Sequence, residues 1–143
     1  MPDILHRISI SAPPERVRDA VVTTAGLRSW WTDDADARDT VGQVNHFGFA
    51  GGAVEFPFRI DEMGGARVAW TCLDGPKVPA EWVGTRLTFD LEPQGTGTLL
   101  RFAHRGWRSV EGDLPQCNTV WGELMHRLKA SAEGRPRGPY VVD

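Results

Sequence analysis

The chain has only two cysteines, one tyrosine and four histidines in 143 residues. Cys72 and Cys117 form no C-x-x-C pair and sit inside apolar patterns, which reads as reduced core thiols of a cytosolic protein; a bond between them stays open. No apolar run approaches the roughly 18 residues that a spanning helix needs. The N-terminus lacks a signal-peptide core, so a cytoplasmic protein with no membrane insertion is expected. Lys and Arg number 16 against 19 Asp and Glu, for a formal charge of −3, and no basic stripe forms. That argues against nucleic acid as a partner. There is no internal repeat, no G-x-S-x-G elbow and no H-E-x-x-H. Gly95-Thr96-Gly97 opens a strand rather than a helix and lacks the rest of a dinucleotide fingerprint.

A chain of this length is one ordinary domain, able to bury roughly two thirds of its unfolded surface. The expected domain is 1–134. The remainder, 135–143, contains Pro136, Gly138 and Pro139 and reads as an extended or mobile tail, in which Tyr140 to Val142 can still pack.

The segment 113–133 has the clearest pattern. Asp113 stands as N-cap with Gln116 as its capping-box partner, Pro115 falls in the first turn, and Gly134 follows the end. Leu114, Cys117, Trp121, Leu124, Leu128 and Ala132 recur every three or four residues, and Val120 and Met125 widen that stripe. About 20 residues at 1.5 Å rise give roughly 30 Å, enough to cross a sheet.

Upstream, residues 3–11 alternate as a half-buried strand, with His6, Ile8 and Ile10 on one face. Pro13 and Pro14 end it and start a short helix to about Val22; a second short helix runs from Thr24 to about Trp31. Gly26 weakens that second helix by roughly 1 kcal/mol relative to alanine. Asp33, Asp34, Asp36 and Asp39 crowd 32–40 but lack the glycine and glutamate of a calcium loop, so a solvated acidic loop is expected. Strand patterns follow at 41–49, 53–62, 67–73, 86–92 and 98–107. Pro57 argues that its strand is an edge or is bulged. The longest loop, 74–85, carries Trp82. Strands followed by one long helix imply an α+β domain: a curved antiparallel sheet of about six strands around the C-terminal helix, with the short helices closing one end. A twisted sheet wraps a single helix incompletely, so a hollow between them is expected.

Ile10 to Val17, Leu27 to Trp31, Arg67 to Thr71, Gly97 to Trp107 and Trp121 to Glu133, in this order, resemble the START-like (SRPBCC, helix-grip) superfamily. Within it they are similar to the family named for the activator of Hsp-ninety ATPase. That family usually has glycine just before the helix tryptophan; here Val120 precedes Trp121 and Gly122 follows. The resemblance implies a helix-grip fold whose hollow takes lipids, polyketides or other apolar molecules.

Trp30, Trp31, Trp70 and Trp121 fall on core-facing positions and serve either packing or an aromatic cavity wall. Phe47, Phe49, Phe56, Phe58, Phe89 and Phe102 can extend the wall, as can Cys117 and Leu124 on the helix. His6, His46 and His104 could converge as polar groups that orient a ligand, with His46 and His104 the expected lining members; as a zinc set they lack ligand spacing. No metal, cofactor or catalytic residue is expected. Binding of a small hydrophobic molecule leads. A polyketide cyclase or hydratase, with His46 or His104 in acid–base work, is one alternative. A co-chaperone-like protein-interaction domain is the other.

Overall fold

The computed structural model describes residues 1–140, and the first and last strands of the chain lie side by side in it. Strand β1 (Ile4–Ile10) pairs antiparallel with β7 (Gly97–Arg105) along its whole length, from Ile4 opposite His104 to Ile10 opposite Thr98. Between them come helices α1 (Pro14–Val22) and α2 (Thr24–Trp30), then strands β2 (Asp34–Asp36), β3 (Val44–Phe49), β4 (Val54–Met63), β5 (Arg67–Cys72) and β6 (Arg86–Gln94). Helix α3 (Leu114–Ala132) follows β7. The sheet order is β1-β7-β6-β5-β4-β3-β2, with every neighbouring pair antiparallel. This is the α+β architecture expected from the patterns, with one strand more.

The additional strand falls within the acidic segment. Ala35 is buried opposite Phe47 while Asp34 and Asp36 point outward, so a short edge strand replaces the expected loop. Thr32 Oγ1 donates to the Gly48 carbonyl at 2.7 Å and fastens it. Pro57 is neither at an edge nor at a bulge: β4 lies between β3 and β5, and its register shift falls between Ile60 and Glu62. The proline is tolerated because β5 ends beside it. The Leu73 N–H reaches the Pro57 carbonyl, and no further β5 residue needs an N–H from that side.

Helix α1 meets α2 closely. The Trp30 indole N–H donates to the Ala20 carbonyl at 2.8 Å. A Cβ on Gly26 would stand 2.4 Å from the Asp19 carbonyl oxygen, so the helix-weakening glycine is required by that approach. Helix α3 is fastened to β1 at its C-terminal end, where Lys129 Nζ donates to the Ser9 carbonyl and Glu133 accepts from the Ser11 N–H. Gly134 closes it with φ of 84°: the Gly134 N–H reaches the Ser131 carbonyl and the Arg135 N–H the Ala130 carbonyl. The expected capping box at the other end is absent. Asp113 has helical φ and ψ of −78° and −13°, so its carboxylate cannot fold back onto the first turn, and its own N–H bonds to Glu81.

After Gly134 the chain turns back along α3 as a strap. Arg127 Nη1 donates to the carbonyls of Arg137, Gly138 and Pro139, and the Tyr140 N–H donates to the Trp31 carbonyl at 3.0 Å. The rest of the expected tail, 141–143, lies outside the described residues. On the outer sheet face Arg59 pairs with Asp61, Arg67 with Asp90, and Arg101 with Glu92, exposed contacts of small energetic weight. Among the described residues no helix is long and apolar enough to cross a membrane.

Gly26→Ala should lower stability by about 1–3 kcal/mol, because the added methyl collides with backbone. At an exposed helix position the same change would raise stability by about 1 kcal/mol. A thermal melt reads the sign, and a higher Tm would refute the close-approach account.

Candidate ligand-binding site

The apolar stripe of α3 is not uniformly covered. Leu124, Met125, Leu128 and Ala132 are buried, whereas Leu114, Cys117 and Val120 nearer the N-terminus stay half-buried. The helix is tied down at the β1 side, and its first turns stand away from the β3–β4 end of the sheet. Between them lies a hollow of about 350 Å³. Phe49, Val54 and Phe56 come from the sheet; Gln116, Cys117, Val120, Trp121 and Leu124 come from α3. Trp31 from the end of α2, Pro79 and Trp82 from the long loop, and Tyr140 from the strap complete the wall.

Five rings form a continuous belt around the hollow. Neighbouring centroids are 5.3 Å apart for Trp121 and Trp31, 5.8 Å for Trp31 and Phe49, 5.7 Å for Phe49 and Phe56, and 4.2 Å for Phe56 and Trp82. A second, more polar hollow of about 260 Å³ adjoins through Phe49 and Tyr140, and it is lined by Thr32, Asp33 and Asp34.

Of the residues expected from sequence, the structure brings Trp31, Phe49, Phe56, Cys117, Trp121 and Leu124 into one wall. Trp30, Phe47, Phe58, Trp70, Phe89 and Phe102 are fully buried behind it, where they pack on one another, and His104 is buried against Trp82, Trp107 and Trp121. His46 is exposed and stands apart, beside Glu55, Pro57 and Asp74. Its neighbours Asn45 and Phe47 take the inner face, and a strand sends alternate side chains to opposite faces. The three histidines therefore do not converge. Among the described residues no group of three or more His, Cys, Asp or Glu is arranged to hold a metal.

Val54, Pro79, Trp82, Gln116, Val120 and Tyr140 also line the hollow, and sequence reasoning does not single them out as lining. Trp82 is the most legible of them, a large ring in a proline-containing loop, carried on the short turn Ala80–Trp82 directly after Pro79. Val120 occupies the place where the family usually has glycine, and it points into the hollow. Gly122 faces His6, whose ring would be 3.7 Å from an added Cβ, an ordinary contact.

A buried polar relay stands behind the wall. The Trp121 indole N–H donates to His104 Nδ1 at 3.1 Å. An indole nitrogen can only donate, so Nδ1 is bare and the proton sits on Nε2, which donates to Thr85 Oγ1 at 2.8 Å. Thr85 in turn donates to the Trp82 carbonyl at 2.6 Å. Both nitrogens of His104 are thus committed, and burial pushes its pKa down to about 3. In the wall itself, burial pushes the Cys117 thiol up to about 12; nearby Asp113 and Glu81 add to that rise, while the Trp82 indole N–H opposes it. Both cysteines are free.

An antiparallel sheet gripping one long helix, with a hollow left between them, defines a START-like, helix-grip protein. The chain belongs to the family described as Activator of Hsp90 ATPase homolog 1-like protein, whose model matches residues 11–133. It is similar to the Aha1 dimer of Colwellia psychrerythraea, solved in solution: 34% identity, 93% of this chain and 97% of that one covered, TM-score 0.83. A Mesorhizobium loti protein shares the fold at 20% identity, covering 94% of this chain and 98% of its own, with a TM-score of 0.81. A Bacillus halodurans protein does so at 24% identity, 93% and 98% coverage, and a TM-score of 0.74. Among curated proteins none matches the chain.

The relay has a consequence for pH. An unfolded His104 protonates near its ordinary 6.5 and the native one only near 3. Between those values the unfolded state holds the extra proton, so native stability falls with falling pH by about 1.4 kcal/mol per unit. Nitrogen-resolved NMR should find the His104 ring neutral and protonated on Nε2 at pH 5. A ring that titrates near 6 would disprove the relay.

Proposed function

We infer that the chain binds a small hydrophobic molecule in the hollow between the N-terminal half of α3 and the β3–β4 end of the sheet. The observation that carries this reading is the belt of five rings around about 350 Å³ of space. That size lies at the low end of small-molecule sites. The apolar side chains at the start of α3 are left half-covered, although the same stripe is buried further along. A guest that covers them gains about 25 cal/mol per Å² of apolar surface removed from water.

Acid–base catalysis finds less support. The ionisable side chains in the described wall are Cys117 and Tyr140, and the thiol is held protonated. His104, the histidine closest to the wall in chemistry, has both ring nitrogens engaged. A docking domain for another protein would be favoured by a contiguous exposed apolar patch. Among the described residues the large exposed apolar side chains are instead few: Met1 and Leu5 at the N-terminus, Val41 before β3 and Val110 between β7 and α3.

Val120→Trp tests the reading, because it fills the hollow without touching the relay. Wild-type protein should enhance the emission of the neutral dye phenylnaphthylamine, and the variant should bind it at least about tenfold more weakly. The variant's melting temperature should be equal or higher, since the ring covers apolar surface. Equal dye binding by both proteins would show that the hollow is not the site.

A further inference from the structure

We propose that this cavity selects neutral, largely aromatic molecules of two to three rings and rejects carboxylates and phosphates, so that fatty acids and phospholipids are not its ligands. The inference rests on the cavity reading above and adds the chemistry of the guest.

Three observations lead to it. The first is size: about 350 Å³ equals roughly a dozen water volumes, the scale of a guest of two or three rings. The second is the wall. Five rings in sequence offer faces and edges to another ring, and aromatic pairs are favoured at centroid separations like those within the belt. The polar groups available are few: the amide of Gln116, the Tyr140 hydroxyl, and the Trp82 indole N–H already directed at Cys117. They suit one hydroxyl or carbonyl on the guest.

The third observation is the sign of the surrounding charge. Among the described residues no Lys or Arg lines the hollow. The cation touching its wall, Arg127 over the Tyr140 ring at 5.8 Å, is paired with Glu123 and bonded to three strap carbonyls. The carboxylates, by contrast, are uncompensated. Asp33 and Asp34 line the adjoining hollow that shares Phe49 and Tyr140, and neither has an ion-pair partner among the described residues. Glu81 and Asp113 stand at the other end, close enough for both to disfavour a thiolate at Cys117. An anionic guest would meet the same field that Cys117 meets, and would lose its hydration in an apolar site with no cation to replace it.

The test compares naphthol with naphthoate of the same substitution, and decanol with decanoate, by calorimetry. The six tryptophan indole N–H signals are followed by NMR. Naphthol should bind saturably, with shifts concentrated at Trp31, Trp82 and Trp121. Naphthoate should bind at least about tenfold more weakly, the scale of one unfavourable charge contact in a poorly solvated site. Decanol should bind more weakly than naphthol. The double variant Asp33→Asn, Glu81→Gln should narrow the naphthol–naphthoate gap by about threefold or more. The amide oxygen that Glu81→Gln introduces can still accept from the Asp113 N–H, so the start of α3 keeps its anchor. Naphthoate or decanoate binding as tightly as its neutral partner overturns the charge selection and leaves the cavity reading standing. An unchanged gap in the double variant overturns its electrostatic origin, and tighter binding of decanol than naphthol overturns the preference for rings. If none of the four probes moves the indole signals, the cavity reading itself fails.

Discussion

The hydrogen bond from Trp121 to His104 fixes the relation between the helix and everything it covers. A long amphipathic helix on a sheet has many near-equivalent ways to slide, because dispersion and burial have little directionality. One buried N–H that must find an acceptor removes that freedom, since an unpaired partner would cost about 1–3 kcal/mol. The relay then continues through Thr85 to the Trp82 carbonyl. It therefore sets two rings of the belt, one on α3 and one in the loop, against the same strand residue. The cavity owes its definite shape to polar atoms that lie outside it.

Given that anchoring, the hollow follows from geometry. The sheet twists across seven strands, while α3 is held to β1 at Ser9 and Ser11. A straight rod fixed at one side of a twisted surface separates from it at the other, and the residues at that end, Cys117 and Val120, stay incompletely covered. The substitution of valine for glycine before the helix tryptophan narrows the space by adding a side chain to its wall.

Much of this was legible in the amino-acid order. The three-and-four spacing from Leu114 to Ala132 delimits α3, and alternation delimits the longer strands. Asp34–Asp36 escaped because aspartate has low strand propensity and the one apolar residue, Ala35, is too short a signal. The wall was only partly legible. Periodicity assigns a ring to the inside of the sheet but cannot say whether the inside is filled at that point, so Phe56 and Phe58 look alike in sequence. One faces the hollow and the other is sealed behind it. That distinction depends on where a helix some 60 residues later comes to rest. His46 was a different matter: with Phe47 and Phe49 on the inner side, strict alternation already sends it outward. Asp113 shows the limit of capping rules, because its N–H, which the Gln116 side chain was expected to take, is bonded instead by Glu81, distant in sequence.

The strap bears on how the molecule can be handled. Its last described residue, Tyr140, is at once part of the cavity wall and hydrogen-bonded to the backbone of Trp31. Any purification handle, fluorophore or surface linkage attached just beyond that point pulls on a side of the hollow. The same attachment made before Ile4 loads only the edge of the sheet, on the far side of the long helix's anchor.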